Sequence, residues 1–365
     1  MKPASGDAPA YDYITFPRQF ISYRWFKPLL VALLAIAFMF VMQVFLMIGA
    51  AIWSGDVNFI DTVGLGYDDM NPYTGPGALA ELGTIAVMLP ALALAALIVR
   101  DRPWSSYSSS RNGWSWGAFA KCLAVAAVIQ GALLAIQLIF FPDEAADGIS
   151  RFTTAGVVAC AIFIPLQSLA EEYVFRGFIM QTIGAWFKLP IIGIIASAVI
   201  FAAGHPYNLV GVITIFFNGI IWGFIAWKTK GLEASSAAHI VNNLLAFYLS
   251  GFGLQSAGSE VDIPSMAIAL AIDAAYASAV ILLGRRFGWF RPKGDGARKF
   301  NEKKLAKAAL KQQPSNAIPQ QAVLVAQYPQ TPQRPQTAMY PQPPLRFNPH
   351  GMQPGPATMS YRYDG

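Results

Sequence analysis

The sequence has 365 residues, of which 55% are hydrophobic and only 13% are charged, and its formal net charge is +6. An average soluble protein has about 25% charged residues, so this composition excludes an ordinary soluble domain and indicates a membrane protein. The basic residues lie mostly beside apolar blocks, where membrane orientation and anionic lipid explain them, and no nucleic-acid binding is predicted.

Eight apolar blocks follow one another along the chain. They cover residues 28–53, 77–99, 116–141, 153–187, 191–204, 209–227, 234–249 and 265–284. A transmembrane helix needs about 20 predominantly apolar residues. The connecting loops are basic and acidic in alternation, so the positive-inside rule places both termini in the cytoplasm. The sequence predicts an all-α polytopic protein with about eight transmembrane helices, integral to a membrane that we expect to be a bacterial plasma membrane.

The regions outside these blocks divide the chain into four predicted parts. These are a cytoplasmic N-terminal segment (1–27), a transmembrane helical domain (28–284), a basic juxtamembrane segment (285–311) and a Pro/Gln-rich cytoplasmic tail (312–365). The basic segment is expected to lie on an anionic lipid leaflet. The tail lacks apolar periodicity and is expected to be disordered. It could recruit a cytoplasmic partner or serve as a solvated spacer, and both interpretations stay open.

The most unusual feature of the apolar blocks is a pair of adjacent carboxylates, Glu171 and Glu172, which follow an almost wholly apolar run. On a helix, Glu172 and Arg176 are four residues apart and share a face, whereas Glu171 points about 100° away from Glu172. An ionisable residue inside a membrane span costs from about 3 kcal/mol to above 10 kcal/mol. The three residues are therefore candidates for a functional site.

Two histidines also lie within or at the ends of apolar blocks. His205 follows Phe201 by four residues and His239 precedes Asn243 by four residues, so each pair shares a helix face. The third histidine, His350, belongs to the tail. Together with the two glutamates, these positions place two acids, two imidazoles and an amide on three successive segments.

Counting residues from the predicted turns estimates how deep these side chains lie. Glu171 lies about 17 residues before the turn near residue 188 and His205 about 17 after it, which places both about 25 Å along their helices. His239 lies about eight residues beyond the turn near residue 231, and is therefore about 12 Å shallower. A tilt, a kink or an inward-dipping loop must close that gap if the three side chains act together.

These residues form three motifs that resemble those of the CAAX protease and bacteriocin-processing family of intramembrane proteases, also called the type II CAAX prenyl protease or Abi family. The first motif is EExxxR at 171–176, the second is FxxxH at 201–205 and the third is HxxxN at 239–243. The motifs stand in the family's order, each in an apolar segment, and the resemblance covers roughly residues 155–250. Each motif alone is weak, whereas three in order form a strong signal.

The resemblance implies an intramembrane endopeptidase that hydrolyses a peptide bond of a membrane-associated or prenylated protein or peptide near the cytoplasmic side. Its partners would be that substrate and the lipid bilayer. Bacterial members are linked to peptide maturation or to bacteriocin self-immunity. The alternative is a non-catalytic membrane scaffold or immunity protein with the same fold. A third hypothesis, a secondary transporter, has no support from an inverted repeat.

The candidate catalytic residues are Glu171, Glu172, Arg176, His205, His239 and Asn243. A buried carboxylate can act as a general base, and we expect Glu171 to deprotonate a water molecule that His205 positions. His239 and Asn243 are expected to donate hydrogen bonds to the developing oxyanion, each worth about 3 kcal/mol. Arg176 is expected to hold Glu172 ionised and in place.

The same residue types also allow a metal-dependent hypothesis. Two histidines and one glutamate with an open position can hold catalytic zinc, and the set here would be Glu171, His205 and His239. The sequence has no HExxH, the usual helical zinc pair. The family has been described both as a metalloprotease and as a metal-free glutamate protease. The expected cofactor is therefore none or zinc, and the metal-free mechanism is favoured.

Overall fold

The computed structural model describes residues 12–56, 58–60, 71–140, 146–255 and 260–312. Internal contacts divide the chain into two units, 1–310 and 311–365. In the second unit only residues 311 and 312 are described. The predicted disordered tail, with His350, lies outside the described residues, apart from residue 312. The four-part division of the chain stays a prediction.

Within the described ranges the protein is all-helical and contains no strand, only an isolated bridge between Ser109 and Gly231. A 3₁₀ turn, Phe16–Gln19, precedes the first long helix. The helices are α1 (Lys27–Ser54), α2 (Gly75–Val99), α3 (Ser105–Ser108), α4 (Trp116–Phe140), α5 (Thr154–Phe187), α6 (Pro190–Ala203), α7 (Leu209–Thr229), α8 (Glu233–Gly251), α9 (Ile263–Phe287) and α10 (Gly296–Gln312).

The predicted all-α membrane fold is confirmed. In the described part of the chain, six helices are long and apolar enough to cross a membrane, namely α1, α2, α4, α5, α7 and α9. The other two predicted blocks are also helical. The first, α6, has 14 residues, and the second, α8, carries serine, histidine and asparagine side chains that lower its hydropathy. The cytoplasmic placement of the termini stays a prediction.

Local chemistry explains where these helices begin and end. Four helices start at a polar residue whose side chain accepts a hydrogen bond from a backbone N–H three residues later: Thr74, Thr153, Asn208 and Asp262. Three end at a basic residue in the left-handed conformation: Arg100, Lys188 and Lys230. A positive charge is favourable at that end of a helix. After Lys188, Pro190 starts a new helix because proline is well suited to the first turn.

Helix α5 lies at the centre of the bundle. Helices α2 and α8 pack against its first half, and α6 packs against its second half. Helix α7 contacts α6, α8 and α9, while α4 contacts α8 and α9. The helices that carry the three sequence motifs therefore surround one interior.

A layer of shorter segments closes one end of the bundle, and we call it the basic-end layer: residues 12–26, 100–115, 228–232 and 288–301. Tyr13 Oη donates to the Tyr107 carbonyl over 2.6 Å, and Trp227 Nε1 donates to Asp12 Oδ2 over 2.6 Å. The Lys293 amide donates to the carbonyl of Arg111 over 3.1 Å. Burial raises the pKa of the Tyr13 hydroxyl well above its ordinary value, as expected for a phenol held inside this layer.

Candidate active site

Helix α5 changes its winding at the first motif. Its first part, Thr154–Glu171, is α-helical, and its continuation, Glu172–Ile179, is π-helical. The amide of Met180 donates to the Phe175 carbonyl, and Ser197 Oγ on α6 donates to the same carbonyl over 2.8 Å. A π-helical turn is rare and often marks a functional site. Here it begins directly after Glu171 and carries Glu172 and Arg176 of the first motif.

Four side chains of two motifs meet in one cluster, which we call the Glu–His cluster: Glu171, Glu172, Arg176 and His239. Arg176 Nη1 donates to Glu172 Oε1 over 3.0 Å, as the four-residue spacing predicts. His239 bridges the two carboxylates, with Nδ1 3.1 Å from Glu172 Oε1 and Nε2 3.2 Å from Glu171 Oε2. Arg176, Glu172 and His239 are at most 3% exposed.

This geometry restricts how protons are placed in the cluster. Each ring nitrogen of His239 faces a carboxylate oxygen, so both contacts need either a proton on each nitrogen or a proton on one carboxyl group. With an imidazolium, two negative and two positive charges balance. Such balance matters because a buried charge without a partner costs several kcal/mol. Two polar atoms, Glu172 Oε2 and Arg176 Nη2, are buried without a hydrogen-bond partner among the described residues.

An amide network joins Asn243, the last residue of the third motif, to Glu171. Asn243 Nδ2 donates to Gln167 Oε1 over 3.2 Å and to Ser168 Oγ over 3.4 Å. Gln167 Nε2 in turn donates to Glu171 Oε2 over 2.6 Å. Glu171 Oε2 therefore faces two donors, Gln167 and His239. The other oxygen, Oε1, has no partner in the described part of the chain and can accept a hydrogen bond from water.

His205 lies at the end of α6, beside the cluster. Its Nδ1 is 2.8 Å from the Phe201 carbonyl and donates to it, which leaves the Nε2 lone pair of a neutral ring free. The Phe201 ring lies near both imidazoles, with centroids 4.7 Å from His205 and 6.0 Å from His239. Within the described ranges, no hydrogen bond or ion pair joins His205 to Glu171.

Aromatic rings enclose the charged side chains. The guanidinium of Arg176 lies over the Phe201 ring at 4.4 Å and near the Trp222 ring at 5.5 Å. The Trp222 ring packs on His239, with centroids 4.6 Å apart and an interplanar angle of 37°. Cation–π contacts of this kind stabilise a desolvated cation by about 2 kcal/mol. Phe201 thus packs against the site, and it carries no polar group of its own.

The start of α8 explains how His239 reaches the depth of the glutamates. Leu232 and Glu233 are fully buried, because the turn before α8 lies beneath the 105–111 segment. The Leu232 amide donates to the Ser108 carbonyl over 2.9 Å, and Glu233 forms a buried ion pair with Arg111. Helix α8 therefore begins inside the protein. A tilt, a kink or an inward-dipping loop could bring His239 to the depth of Glu171, and these contacts support the inward-dipping loop.

The structure brings most predicted site residues together. Arg176 contacts Glu172, and His239 contacts both Glu172 and Glu171. Asn243 connects to Glu171 through the Gln167 amide, and His205 approaches the cluster only through the Phe201 ring. Sequence reasoning missed two contributors. Gln167 had a signal, since it is a polar residue in an apolar run four positions before Glu171. Trp222 had no such signal in the sequence, because an aromatic residue in a membrane span usually serves only in packing.

The zinc hypothesis can be tested against the donor set. In the part of the chain that the structure describes, no three His, Cys, Asp or Glu side chains converge closely enough to hold a metal ion. In the expected set of Glu171, His205 and His239, both nitrogens of His239 face carboxylates. The residues as arranged do not fit zinc.

Comparison with known proteins supports the resemblance of the motifs. Residues 152–245 match the family model described as type II CAAX prenyl endopeptidase Rce1-like. The uncharacterized protein YyaK of Bacillus subtilis (strain 168) is 26% identical over 167 residues, which is 43% of this chain and 55% of that protein. No solved structure matches the chain. The predicted family resemblance is confirmed: this integral membrane protein matches the type II CAAX prenyl endopeptidase Rce1-like family model over residues 152–245.

Proposed function

We propose that this protein is an intramembrane endopeptidase that hydrolyses a peptide bond of a membrane-associated or prenylated protein or peptide. The observation that carries the proposal is the buried contact of His239 with both carboxylates of the first motif. A pair of carboxylates, an arginine and a bridging histidine is expensive to bury in a membrane bundle. An arrangement of that cost is expected where it performs chemistry.

In the proposed reaction, Glu171 is the general base. Its Oε2 atom is held by Gln167 and His239, which fixes the carboxylate and leaves Oε1 to take a proton from water. The free Nε2 of His205 accepts a hydrogen bond from the same water and positions it. The water oxygen attacks the scissile carbonyl carbon, and the proton on Glu171 then passes to the leaving nitrogen as the C–N bond breaks.

The contacts favour a division of roles that differs from the sequence-based prediction. Because both nitrogens of His239 face carboxylates, we assign His239 to orienting Glu171 and not to the oxyanion. Asn243 keeps the oxyanion role: its Nδ2 donates to Gln167 Oε1 over 3.2 Å and to Ser168 Oγ over 3.4 Å, and the oxyanion would replace the hydroxyl in the longer of these two bonds. Arg176 holds Glu172, and that pair anchors Nδ1 of His239.

The proposal is tested with purified protein in liposomes and two synthetic peptides, one farnesylated on a C-terminal CAAX cysteine and one not, with products identified by mass spectrometry. We expect cleavage by the wild type. Glu171→Gln should slow cleavage by about 10²- to 10⁴-fold, the usual contribution of a general base. The matched control is Glu81→Gln, which neutralises a glutamate of α2 outside the cluster and should retain activity.

Two outcomes would contradict the proposal. Cleavage by Glu171→Gln at the wild-type rate would remove Glu171 from the mechanism. If neither peptide is cleaved, peptides from membranes of cells with and without the gene are compared, and the absence of any truncated product would favour a non-catalytic scaffold. Selective cleavage of the farnesylated peptide would identify a prenylated substrate class.

A further inference from the structure

Asn242, the residue before the last residue of the third motif, carries a carboxamide that the proposed reaction does not use. The preceding positions of α8, 233–241, are buried without interruption, and Asn242 is the first exposed residue of this helix. A carboxamide that faces lipid without hydrogen-bond partners is costly. The position of Asn242, three residues after His239 of the Glu–His cluster, therefore needs a specific reason.

The side chain of Asn242 begins a chain of three amides that ends at Glu171. Asn242 Nδ2 donates to Asn243 Oδ1 over 3.2 Å, and Asn243 Nδ2 donates to Gln167 Oε1 over 3.2 Å. Gln167 Nε2 donates to Glu171 Oε2 over 2.6 Å. The chain thus crosses from α8 to α5 and reaches the carboxylate that we assign as the general base.

The carboxylate at one end sets the direction of every hydrogen bond in this chain. An ionised carboxylate can only accept, so the amide beside it must present its N–H and turn its oxygen away. Gln167 Oε1 then takes its hydrogen bond from Asn243 Nδ2, and Asn243 Oδ1 is left facing Asn242. A carboxamide has two orientations, which differ by exchanging oxygen and nitrogen. At Asn243 only one of them directs the nitrogen at Gln167 and Ser168.

Asn242 favours this orientation of the Asn243 amide from its outer side. Among the described residues, Asn243 Oδ1 accepts its hydrogen bond from Asn242 alone. With Nδ2 directed inward, the amide can donate to the oxyanion, whereas the reversed amide would present an oxygen to the developing negative charge. Because Asn242 is exposed, its own packing contributes little to the fold, and a substitution there should leave α8 in place.

We propose that Asn242 is a positioning residue, which holds the carboxamide of Asn243 with Nδ2 toward Gln167 and the oxyanion. The order of contact is the Asn242 amide, the Asn243 amide, the Gln167 amide and the Glu171 carboxylate. The effect on the reaction rests on the proposed protease function, whereas the effect on the chain of amides does not.

The first experiment follows the side-chain amides of the full chain by NMR, with ¹⁵N in the asparagine and glutamine side chains. Gln167→Met assigns the Gln167 amide signal by its loss. We expect Asn242→Leu, which keeps the size of the side chain and removes its N–H groups, to shift that signal, although no hydrogen bond joins Asn242 to Gln167 in the described part of the chain. The same substitution in an Asn243→Ala background should leave the signal unmoved, because the linking amide is absent.

Two variants serve as controls for this measurement. Asn242→Gln retains an N–H donor and should return the Gln167 signal toward its wild-type position. Ala246→Ser changes the next exposed residue of α8, one turn later on the same face, and should not move the signal. The Tm of Asn242→Leu should stay near that of the wild type, which separates a change in the amide chain from a loss of structure.

In the peptide assay the proposal predicts that Asn242→Leu lowers kcat with little change in KM. The expected loss is about 3- to 10-fold, the usual net contribution of one hydrogen bond. Asn243→Ala should lower kcat by about 10²- to 10³-fold, as the removal of an oxyanion donor does. Adding Asn242→Leu to Asn243→Ala should then cause no further loss, because the two residues act through one amide.

Several results would overturn the assignment. A Gln167 signal that does not respond to Asn242→Leu, or that responds equally in the Asn243→Ala background, would exclude the chain of amides. An equal loss of kcat in both backgrounds would make Asn242 a residue that contacts the substrate directly. If neither Asn242→Leu nor Asn242→Ala folds, Asn242 is a residue of the fold. An inactive wild type would count against the protease, while the NMR result would still decide the role of Asn242.

Discussion

The buried ion pair between Arg111 and Glu233 allows a quantitative prediction about the helix that carries His239. Both side chains are at most 1% exposed, and Glu233 Oε1 also accepts the Ser115 amide over 2.7 Å. Arg111→Ala leaves a buried carboxylate without its cation. Breaking such a pair costs about 3–5 kcal/mol because the remaining charge stays uncompensated. We expect the free energy of unfolding of Arg111→Ala to fall by that amount, measured by denaturant titration in detergent micelles.

A double variant separates the charge from the packing. Replacing both members of a buried pair by apolar residues of similar volume is often neutral or stabilising. Arg111→Met with Glu233→Met should therefore recover most of the loss. The control is Arg298→Ala, which breaks an exposed pair with Glu302 and should cost less than about 1 kcal/mol. If Arg111→Ala is as stable as the wild type, or the double variant is no better than the single one, the reasoning about an uncompensated charge fails.

Three further predictions concern packing, the amide network and metal. A Cβ on Gly156 would lie 1.7 Å from the Tyr73 carbonyl oxygen, so Gly156→Ala should lower Tm, whereas Gly131→Ala, which meets nothing within 4 Å, should leave Tm unchanged or raise it. Gln167→Met removes a hydrogen bond to Glu171, worth about 1.5–3 kcal/mol for a charged acceptor, and should lower kcat on the peptide by about 10- to 100-fold. Purified protein should carry substoichiometric zinc by elemental analysis, and chelators should not slow cleavage; stoichiometric zinc, or inhibition that zinc reverses, would contradict the metal-free mechanism.

Sequence patterns predicted the helical bundle well because apolar length is a local property. The end of the helix at Lys188 and the continuous helix before it could both be predicted, since a proline two residues later cannot extend a helix. The π-helical turn at Glu172 was not readable, because α and π winding differ by one hydrogen-bond step that composition does not encode. The predicted helices were therefore confirmed while the winding within one of them was missed.

In the candidate site, likewise, the local contacts could be predicted from the sequence and the long-range contacts could not. The Glu172–Arg176 contact follows from a spacing of four residues and was predicted. The contact of His239 with the glutamates depends on where α8 begins, and that depends on a pair, Arg111 and Glu233, separated by 122 residues. In the sequence, Arg111 stands in a loop between two apolar blocks, where a basic residue indicates only the orientation of the helices in the membrane. Long-range pairs of this kind set the depth of a helix, and residue counting from a turn cannot detect them.

The short length of α6 bears on how water reaches a site enclosed by membrane helices. Its 14 residues extend about 21 Å, less than the roughly 30 Å hydrocarbon core. If α6 starts at the interface where Lys188 ends α5, then His205 and the irregular segment 204–208 lie at membrane depth. Non-helical backbone is tolerated there only where it is buried in protein or lines a water-filled cavity. Residues 206–208 are exposed, so they are not buried in protein. The end of α6 is therefore the side from which water would approach His205 and the open oxygen of Glu171.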